Sequence, residues 1–276
     1  MFLVTGATGN AGAAVARALA DDGHAVRALV RPGSAGALEP GVEAVHGDLN
    51  RAEDVRGALD GVRAVFLLSG YGELEQSLAE MRRAGVERVV LLSSSAAPSG
   101  DLGNAVARYH VLSERAVEAS GLAWTFLQPN SFMSNALRWK AQIQSGEVVR
   151  VPFAEVRIAA IHPADLGSVA ATALASGEHD GRAYRLSGPE SLLPADQVRI
   201  LGGVLGRDLR LLAQSDEEAR AELFRTMPAD YAEAFLNFFV DGALDESQVL
   251  DTVETITGRK PRSFGEWARE HADAFR

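Results

Sequence analysis

The stretch MFLVTGATGNAGAAVARALADDG (1–23) contains a short apolar run, a cluster of small residues and a helical pattern, in that order. FLVT (2–5) predicts a buried strand, and the residues after the cluster predict a helix. Between them, Gly6, Gly9 and Gly12 recur every third residue. A strand-to-helix turn presents free backbone N–H groups that bind anions, and glycines permit a tight turn and the close approach of a phosphate. The stretch therefore predicts a phosphate-binding turn at the start of an α/β fold.

The spacing of these glycines is G-x-x-G-x-x-G, which differs from the G-x-G-x-x-G fingerprint of standard dinucleotide-binding sites. The prediction of a dinucleotide site rests on the context of the glycines. A strand precedes the turn, a helix follows it, and further strand–helix units lie downstream. A glycine-rich turn without a ligand is the alternative. A P-loop is excluded because no Gly-Lys-Ser or Gly-Lys-Thr follows the turn.

Apolar runs alternate with helical patterns through the first half of the chain. The predicted strands are FLVT (2–5), AVRALV (25–30), VEAVHGD (42–48), RAVFLLS (63–69), ERVVLLS (87–93) and LAWTFL (122–127). The continuous apolar runs indicate strands that are buried on both faces. The alternation predicts an α/β fold with a doubly wound parallel sheet, the Rossmann architecture, and helices on both faces.

The alternation loosens after Pro129. The remaining segments predict helices over 131–144, 163–175, 194–205 and 215–240, strands over 155–161 and 181–188, and a final helix that contains Trp267. We expect the strand at 181–188 to join the main sheet. The predicted division is a dinucleotide-binding core over 1–128, to which 156–188 returns, and a small, mainly helical substrate lobe built from 129–155 and 189–276.

Composition excludes several classes of function. The 276 residues carry a net charge of -10, and an acidic surface argues against direct nucleic-acid binding. The chain has no cysteine, which excludes disulfides, thiolate metal sites and a cysteine nucleophile. No signal-peptide pattern or membrane-spanning apolar run is present, and the histidines show no metal-ligand spacing. We expect a cytoplasmic, metal-free protein, and the rarity of lysine beside arginine indicates a bacterial source.

Several stretches resemble one protein family. They are TGATGNAG (5–12), LVRPGS (29–34), HGDL (46–49), SERAVEASGLAWTFLQPNSFMSN (113–135), IHPADLG (161–167), YRLSGPESL (184–192) and FGEWARE (264–270). Together they resemble the short-chain dehydrogenase/reductase superfamily and, more closely, its atypical NmrA-like branch. That branch includes NADPH-dependent quinone oxidoreductases and a redox-sensing transcriptional regulator. The resemblance covers nearly the whole chain.

The resemblance implies that the glycine turn binds a dinucleotide. The residues that match the family fingerprint are Gly6, Thr8, Gly9, Asn10 and Gly12. An acidic residue about 20 positions beyond such glycines binds the ribose 2′-hydroxyl of NAD. Here that position is Arg31, whose planar guanidinium suits the 2′-phosphate of NADP. We therefore expect NADPH to be preferred over NADH, and the alternative is that Arg31 is an ordinary solvated residue at a strand end.

Polar and small residues follow the third, fourth and fifth predicted strands. Asp48 matches the family position that contacts the adenine, and its alternative role is to cap the helix that follows. Ser69 and Gly70 end the fourth strand, and Ser93 and Ser94 end the fifth. Ligands bind at the carboxyl ends of parallel strands, and the resemblance implies that ribose and nicotinamide lie there. The alternative for each serine is local capping of a turn.

The residues that could move a proton differ from the usual pattern of the superfamily. Typical members use a Tyr-x-x-x-Lys pair, but Tyr109 is followed four positions later by Ser113, and the nearest lysine is Lys140. The quinone reductases of the NmrA-like branch also lack this pair and carry a His with a Glu four residues later, as His110 and Glu114 do here. We expect Glu114 to orient His110 and favour its protonated form, so that His110 or Tyr109 assists the proton step. Simple packing of His110 is the alternative.

These observations favour an NADPH-dependent oxidoreductase that transfers a hydride to a quinone or a similar electron-poor carbonyl compound. Two alternatives stay open. One is an NADP(H) sensor without turnover that contacts a regulatory protein, and the other is a tailoring or sugar-modifying enzyme of the superfamily. The expected substrate is small and apolar or aromatic. Phe132, Met133, Trp139 and Phe153 indicate an apolar pocket or a lobe core.

Overall fold

A computed structural model describes residues 1–33 and 38–276; Ser34, the last residue of the LVRPGS stretch, lies outside them. In chain order the strands are β1 (Phe2–Thr5), β2 (Val26–Val30), β3 (Glu43–His46), β4 (Ala64–Leu68), β5 (Arg88–Leu92), β6 (Ala123–Pro129), β7 (Val148–Val151), β8 (Arg182–Leu186) and β9 (Arg210–Ala213). The helices are α1 (Asn10–Asp21), α2 (Ala52–Gly57), α3 (Leu74–Arg83), α4 (Ala105–Ala119), α5 (Lys140–Ser145), α6 (Pro163–Ala175), α7 (Pro194–Leu205), α8 (Asp216–Thr226), α9 (Ala229–Phe239), α10 (Thr252–Thr257) and α11 (Phe264–Glu270).

Seven strands form one parallel sheet in the order β3-β2-β1-β4-β5-β6-β8. The chain winds outward from β1 through β2 and β3, then returns and winds the other way from β4. Such a reversal opens a crevice at the carboxyl ends of the central strands, where ligands bind in this architecture. The predicted doubly wound fold is confirmed, and β8 pairs with β6 in this sheet.

Apolar layers cover both faces of the sheet. On one face α1 and α6 pack with β1, β2 and β4, and on the other α2, α3 and α4 pack against a second cluster. The approach of α6 to α1 depends on Gly167, because a Cβ at that position would lie 2.5 Å from the carbonyl oxygen of Ala14. The two layers leave the carboxyl edge of the sheet free to form a site.

The C-terminal lobe has its own core around Trp139 and Trp267, both fully buried. It contains a parallel pair, β7 with β9, which the sequence did not predict. The strand predicted over 155–161 is wrong. The backbone there bonds residue by residue to different segments: Ile158 to Leu192, Ala159 to Glu246, and Ile161 to Ser131. A segment that links several partners in this way forms only isolated bridges.

Across residues 1–33 and 38–276, no helix is long and apolar enough to cross a membrane. Over the same two ranges, no group of three or more His, Asp or Glu side chains is placed to hold a metal ion.

Candidate active site

The turn between β1 and α1 is held by two glycines that the packing requires. Gly6 has a φ of 65°, and a Cβ there would collide with the side chain of Leu68 on β4. A Cβ on Gly12 would collide with the carbonyl group of Gly6. Both glycines therefore bring the turn and the first part of α1 close to the sheet, which is a structural task.

Gly9 is different because nothing in the fold requires a glycine there. It precedes α1 with an ordinary extended φ of -103°. A Cβ on Gly9 would come no closer than 3.4 Å to any described neighbour, the carbonyl oxygen of Gly6. The space in front of the helix start is thus open, as a phosphate cradle requires. Beside it, Thr8 is exposed and Asn10 donates a hydrogen bond to the Ser134 hydroxyl at 3.1 Å.

Arg31 and Asp48 lie at the same edge of the sheet, after β2 and β3. The Asp48 carboxylate accepts hydrogen bonds from the backbone and side-chain N–H groups of Asn50, both at 2.9 Å. These bonds lower the pKa of Asp48, and the positive charge of exposed Arg31 lowers it further. The helix-capping role considered for Asp48 is wrong. The N-cap position of α2 is Arg51, and the Asp48 carboxylate bonds to Asn50 instead of to the first N–H groups of the helix.

A crevice of about 350 Å³ lies at the carboxyl ends of β4, β5 and β6, with one wall formed by α9. Its lining residues are Leu68, Ser69, Tyr71, Leu92, Ser93, Ser94, Val106, Tyr109, His110, Pro129, Asn130, Ser131, Phe132, Phe235, Phe238, Phe239, Leu244 and Glu246. The fold thus brings Ser69, Ser93, Ser94, Tyr109 and His110 together. The glycine turn, Arg31 and Asp48 line no part of this crevice and lie along the same edge of the sheet.

Ser69 bonds to the neighbouring strand β5, whereas Ser94 has a local partner of the kind that the turn-capping alternative requires. Ser69 donates a hydrogen bond to the Leu92 carbonyl at 2.7 Å, and Ser94 accepts one from the backbone N–H of Ala96 at 3.2 Å. Gly70 has a φ of 83°, and a Cβ there would lie 2.9 Å from the ring of Tyr109. A glycine at this position therefore allows the tyrosine ring to pack against the end of β4.

Three residues of the crevice carry buried polar atoms without a hydrogen-bond partner in the described chain. They are Ser93 Oγ after β5, Asn130 Oδ1 after β6 and His110 Nδ1 on α4. Leaving such an atom unpaired costs about 1–3 kcal/mol, and a bound ligand that reached these atoms would offset that cost. With the open cradle at Gly9, these residues fit a dinucleotide that extends along the carboxyl edge of the sheet.

The predicted contact between His110 and Glu114 is wrong. Glu114 Oε1 accepts a hydrogen bond from the side chain of Gln128 on β6 at 2.8 Å, because α4 turns this carboxylate toward the sheet. His110 is 9% exposed, and its burial without a charged partner lowers the pKa to about 4. The imidazole is therefore neutral near pH 7. Burial also raises the pKa of the neighbouring Tyr109, which stays protonated.

Ser113 occupies the position where typical superfamily members have the lysine. Its hydroxyl accepts a hydrogen bond from the backbone N–H of Gly70 at 3.1 Å and donates one to the Tyr109 carbonyl at 2.7 Å. It thus ties α4 to the end of β4. Among the described residues that line the crevice there is no lysine, and the hydrogen-bonding groups on α4 are the neutral side chains of Tyr109 and His110.

The sequence did not identify Glu246, which lies in the crevice wall and is 5% exposed. Its carboxylate accepts hydrogen bonds from the Ser95 hydroxyl at 2.6 Å, the Ser131 hydroxyl at 2.6 Å and the Ser131 backbone at 2.9 Å. Burial raises the pKa of Glu246. It joins the lobe to the ends of β5 and β6, and no local pattern could indicate this because 115 residues separate it from Ser131.

A model of the NAD(P)H-binding protein family matches residues 6–176. This range begins at Gly6 and ends just after α6, so it covers more than half of the chain. The chain belongs to this NAD(P)H-binding family. The predicted family and cofactor class are therefore confirmed.

Two relatives match over the full length of the chain. The (4-alkanoyl-5-oxo-2,5-dihydrofuran-3-yl)methyl phosphate reductase of Streptomyces griseus is 40% identical over 100% of this chain and 99% of its own length. The NAD(P)H azoreductase of Xenophilus azovorans is 33% identical over 100% of this chain and 99% of its own length. The predicted enzyme class is confirmed: the NAD(P)H-binding chain is an oxidoreductase.

Two solved structures share the fold. An NADPH-dependent quinone oxidoreductase from Escherichia coli, complexed with NADPH, has a TM-score of 0.81 at 23% identity over 98% of this chain and 99% of that chain. A triphenylmethane reductase from Citrobacter, complexed with NADP(H), has a TM-score of 0.80 at 23% identity over 99% of this chain and 100% of that chain. At this identity the similarity concerns the architecture alone.

Proposed function

We propose that this protein is an NADPH-dependent reductase of small, electron-poor, conjugated acceptors such as quinones. The crevice supports this proposal because it combines an aromatic wall with neutral hydrogen-bond donors and lacks the tyrosine–lysine acid of typical superfamily members. In the overall reaction the acceptor gains two electrons and two protons, as a hydride from NADPH and a proton from water. When bound, the nicotinamide supplies that hydride.

The residues of the carboxyl edge have proposed roles in holding the cofactor. The open turn at Gly9, with Gly6, Thr8, Asn10 and Gly12, holds the pyrophosphate at the start of α1. Arg31 pairs with the 2′-phosphate, and Asp48 contacts the adenine. Ser69, Gly70, Ser93 and Ser94 face the ribose and nicotinamide end. The unpaired Ser93 hydroxyl supports this assignment most directly among the serines.

The neutral state of His110 limits which acceptors the site can reduce. Reduction of a simple ketone forms a strongly basic alkoxide, which needs a proton donor in the transition state. Neutral imidazole and tyrosine stabilise a developing oxyanion by hydrogen bonding and are weak acids. A quinone yields a delocalised hydroquinone anion that water can protonate. The site therefore favours acceptors whose reduced form is a stabilised anion.

The aromatic wall favours a flat acceptor. Phe235, Phe238 and Phe239 line the crevice from α9, opposite the ends of β4 and β5. Planar rings stack on such side chains with offset or edge-to-face geometry. A conjugated ring held against this wall would lie beside the Tyr109 and His110 side chains, where its oxygen can accept a hydrogen bond.

The names of the two relatives support the same electronic class of acceptor. The name of the Streptomyces griseus enzyme describes a ring double bond that is conjugated with two carbonyl groups. The name of the Xenophilus azovorans enzyme describes a nitrogen–nitrogen double bond. Both are electron-poor multiple bonds that accept a hydride without the need for a strong acid.

The test compares His110→Ala with the parent in steady-state NADPH oxidation, with 1,4-naphthoquinone as acceptor. We expect kcat to fall about tenfold or more, with NADPH affinity nearly unchanged; this is at or below the low end of the roughly 10²–10⁴-fold typical of a proton-transfer group, because a quinone needs less help. His24→Ala is the matched control, because this residue packs on Phe2 far from the crevice. Identical kinetics for His110→Ala and the parent from about pH 5.5 to 8 would remove His110 from the proposed chemistry.

A further inference from the structure

A second cavity, of about 190 Å³, adjoins the crevice and lies in the C-terminal lobe. It lies between α8, α9, the 3-10 helix Met133–Trp139 and the segment after β7. Its lining residues are Ser131, Phe132, Asn135, Ala136, Arg138, Pro152, Phe153, Val156, Ile158, Ala160, Pro194, Gln197, Leu223, Met227, Phe235 and Phe239. Four of these, Ser131, Phe132, Phe235 and Phe239, also line the crevice, so the two spaces are neighbours that share these side chains.

The lining of this lobe cavity is mainly apolar. Most of its side chains are aliphatic or aromatic. The polar ones are Ser131, Asn135, Gln197 and the cationic Arg138, and no carboxylate is among the described lining residues. Its volume is smaller than the roughly 300–1,000 Å³ of pockets that hold a whole drug-sized ligand. The lobe cavity therefore has room for a substituent of the acceptor, while the ring occupies the crevice.

The backbone at Phe153 is strained beside the junction of the two spaces. Phe153 has a φ of 56°, a left-handed conformation that non-glycine residues rarely adopt. Its ring packs on Phe239, with centroids 5.3 Å apart, and Phe239 lines both the crevice and the lobe cavity. Such conformations persist where the surrounding contacts impose them, and they cluster at ligand-binding sites.

We propose that the lobe cavity binds an unbranched apolar chain carried by the acceptor ring, an inference that rests on the proposed reductase function. The volume of about 190 Å³ is too small for a whole ligand and leaves room for a substituent of several carbon atoms. The expected substrate class is a conjugated ring with such a chain, and six carbons is the length chosen for the test. The chain leaves the ring past Phe132 and Phe239.

The experiment measures kcat/KM for a series of 2-alkyl-1,4-naphthoquinones, from methyl to decyl. We expect kcat/KM to rise about threefold for each methylene until the chain fills the lobe cavity, because each buried methylene adds a roughly constant favourable increment, and then to level off. The second measurement is the affinity for 4-alkylphenols of the same chain lengths, determined by calorimetry with NADP⁺ present. We expect this affinity to increase with chain length in the same way, although no reaction takes place. This second readout keeps chain binding separate from the redox reaction.

Met227→Trp blocks the lobe cavity at the end of α8, where Met227 is half-buried and lines it. We expect this variant to lower the hexyl-to-methyl ratio of kcat/KM about tenfold or more, with methylnaphthoquinone turnover nearly unchanged. Phe224→Trp is the matched control, because Phe224 lies on the same helix, is 37% exposed and does not line the cavity. Thermal unfolding of both variants checks that the lobe is folded.

Failure of the lobe-cavity proposal and failure of the reductase function give different results in these experiments. Turnover of methylnaphthoquinone with no effect of chain length, in kinetics and in phenol binding, would overturn the lobe-cavity proposal and leave the reductase function standing. Chain-dependent phenol binding without reduction of any quinone would overturn the reductase function and leave the apolar site standing. Equal chain dependence in Met227→Trp and the parent would place the chain outside this cavity.

Discussion

Glu114 accepts a hydrogen bond from the side-chain amide of Gln128 at 2.8 Å. This contact directs the carboxylate of Glu114 toward β6, so it does not pair with His110, one helical turn earlier on α4. The Nδ1 atom of His110 is left buried without a hydrogen-bond partner in the described chain. The neutral state of His110 near pH 7 follows from this arrangement, because no carboxylate of the described residues stabilises its imidazolium form.

The buried imidazole should make the protein less stable in mild acid. The pKa of His110 is lowered from 6.5 to about 4 in the folded protein, so between these pH values the unfolded chain binds a proton that the folded chain does not. The free energy of unfolding is therefore not reduced by His110 above pH 6.5. It falls as the pH drops from 6.5 toward 4, by up to about 3 kcal/mol. Denaturant unfolding of His110→Gln should show a correspondingly smaller loss across this window. Equal losses for the variant and the parent would contradict a neutral buried His110.

Substitution of Gly9 should weaken NADPH binding, whereas substitution of Gly12 should destabilise the fold. Gly9→Val should weaken NADPH binding by about a hundredfold or more, because the side chain fills the phosphate cradle, while the melting temperature changes little. Gly12→Val should lower the stability by several kcal/mol or prevent folding, because a Cβ collides with the Gly6 carbonyl. Calorimetric titration with NADPH and thermal unfolding separate the two effects. Parent-like NADPH affinity in Gly9→Val would move the binding site elsewhere.

The sequence predicted the elements whose signals are local. The apolar runs predicted strands of the sheet. The helices predicted from 163 and 194 begin at Pro163 and Pro194, as α6 and α7 do, and proline is favoured at the first helical position. Ser93 was expected at the site because it ends a parallel strand, whereas Tyr109 and His110 were indicated by the family resemblance, and all three line the crevice.

Features that depend on long-range packing were not predictable. The spacing of His110 and Glu114 allows a contact, but the rotation of α4 against β6 gives Glu114 a different donor. Glu246 reaches Ser131 only because the lobe folds back on the sheet. The pairing of β7 with β9 has the same origin, since neither short strand carries a signal for its partner.

Arg31→Asp should lower the preference for NADPH over NADH. A charge-assisted bidentate contact with phosphate contributes roughly 1.5–3 kcal/mol, so the ratio of NADPH to NADH affinity should fall about ten- to a hundredfold. Arg56→Asp is the control, because Arg56 is exposed and pairs only weakly with Glu53 at 3.6 Å. Both affinities are measured by calorimetric titration. An unchanged ratio in Arg31→Asp would remove Arg31 from the phosphate site.

Removal of the Glu246 carboxylate should loosen the connection between the lobe and the sheet. Glu246→Ala leaves the Ser95 and Ser131 hydroxyls without their acceptor and should lower the free energy of unfolding by about 3 kcal/mol, whereas Glu246→Gln retains an acceptor and costs less. Hydrogen exchange of residues 241–251 should rise in the alanine variant. Glu233→Ala, at an exposed position on α9, should change stability by less than about 0.5 kcal/mol. Equal stability of Glu246→Ala and the parent would show that these hydrogen bonds contribute nothing.

Single-turnover mixing of the NADPH-loaded protein with 1,4-naphthoquinone under anaerobic conditions tests the reductase function most directly. We expect one hydroquinone to form for each NADPH oxidised, while cyclohexanone, a ketone without conjugation, oxidises NADPH at least about a hundredfold more slowly. Stoichiometric NADPH binding without oxidation by the quinone would contradict the proposed function, and it would favour a protein that senses the cofactor without turning it over.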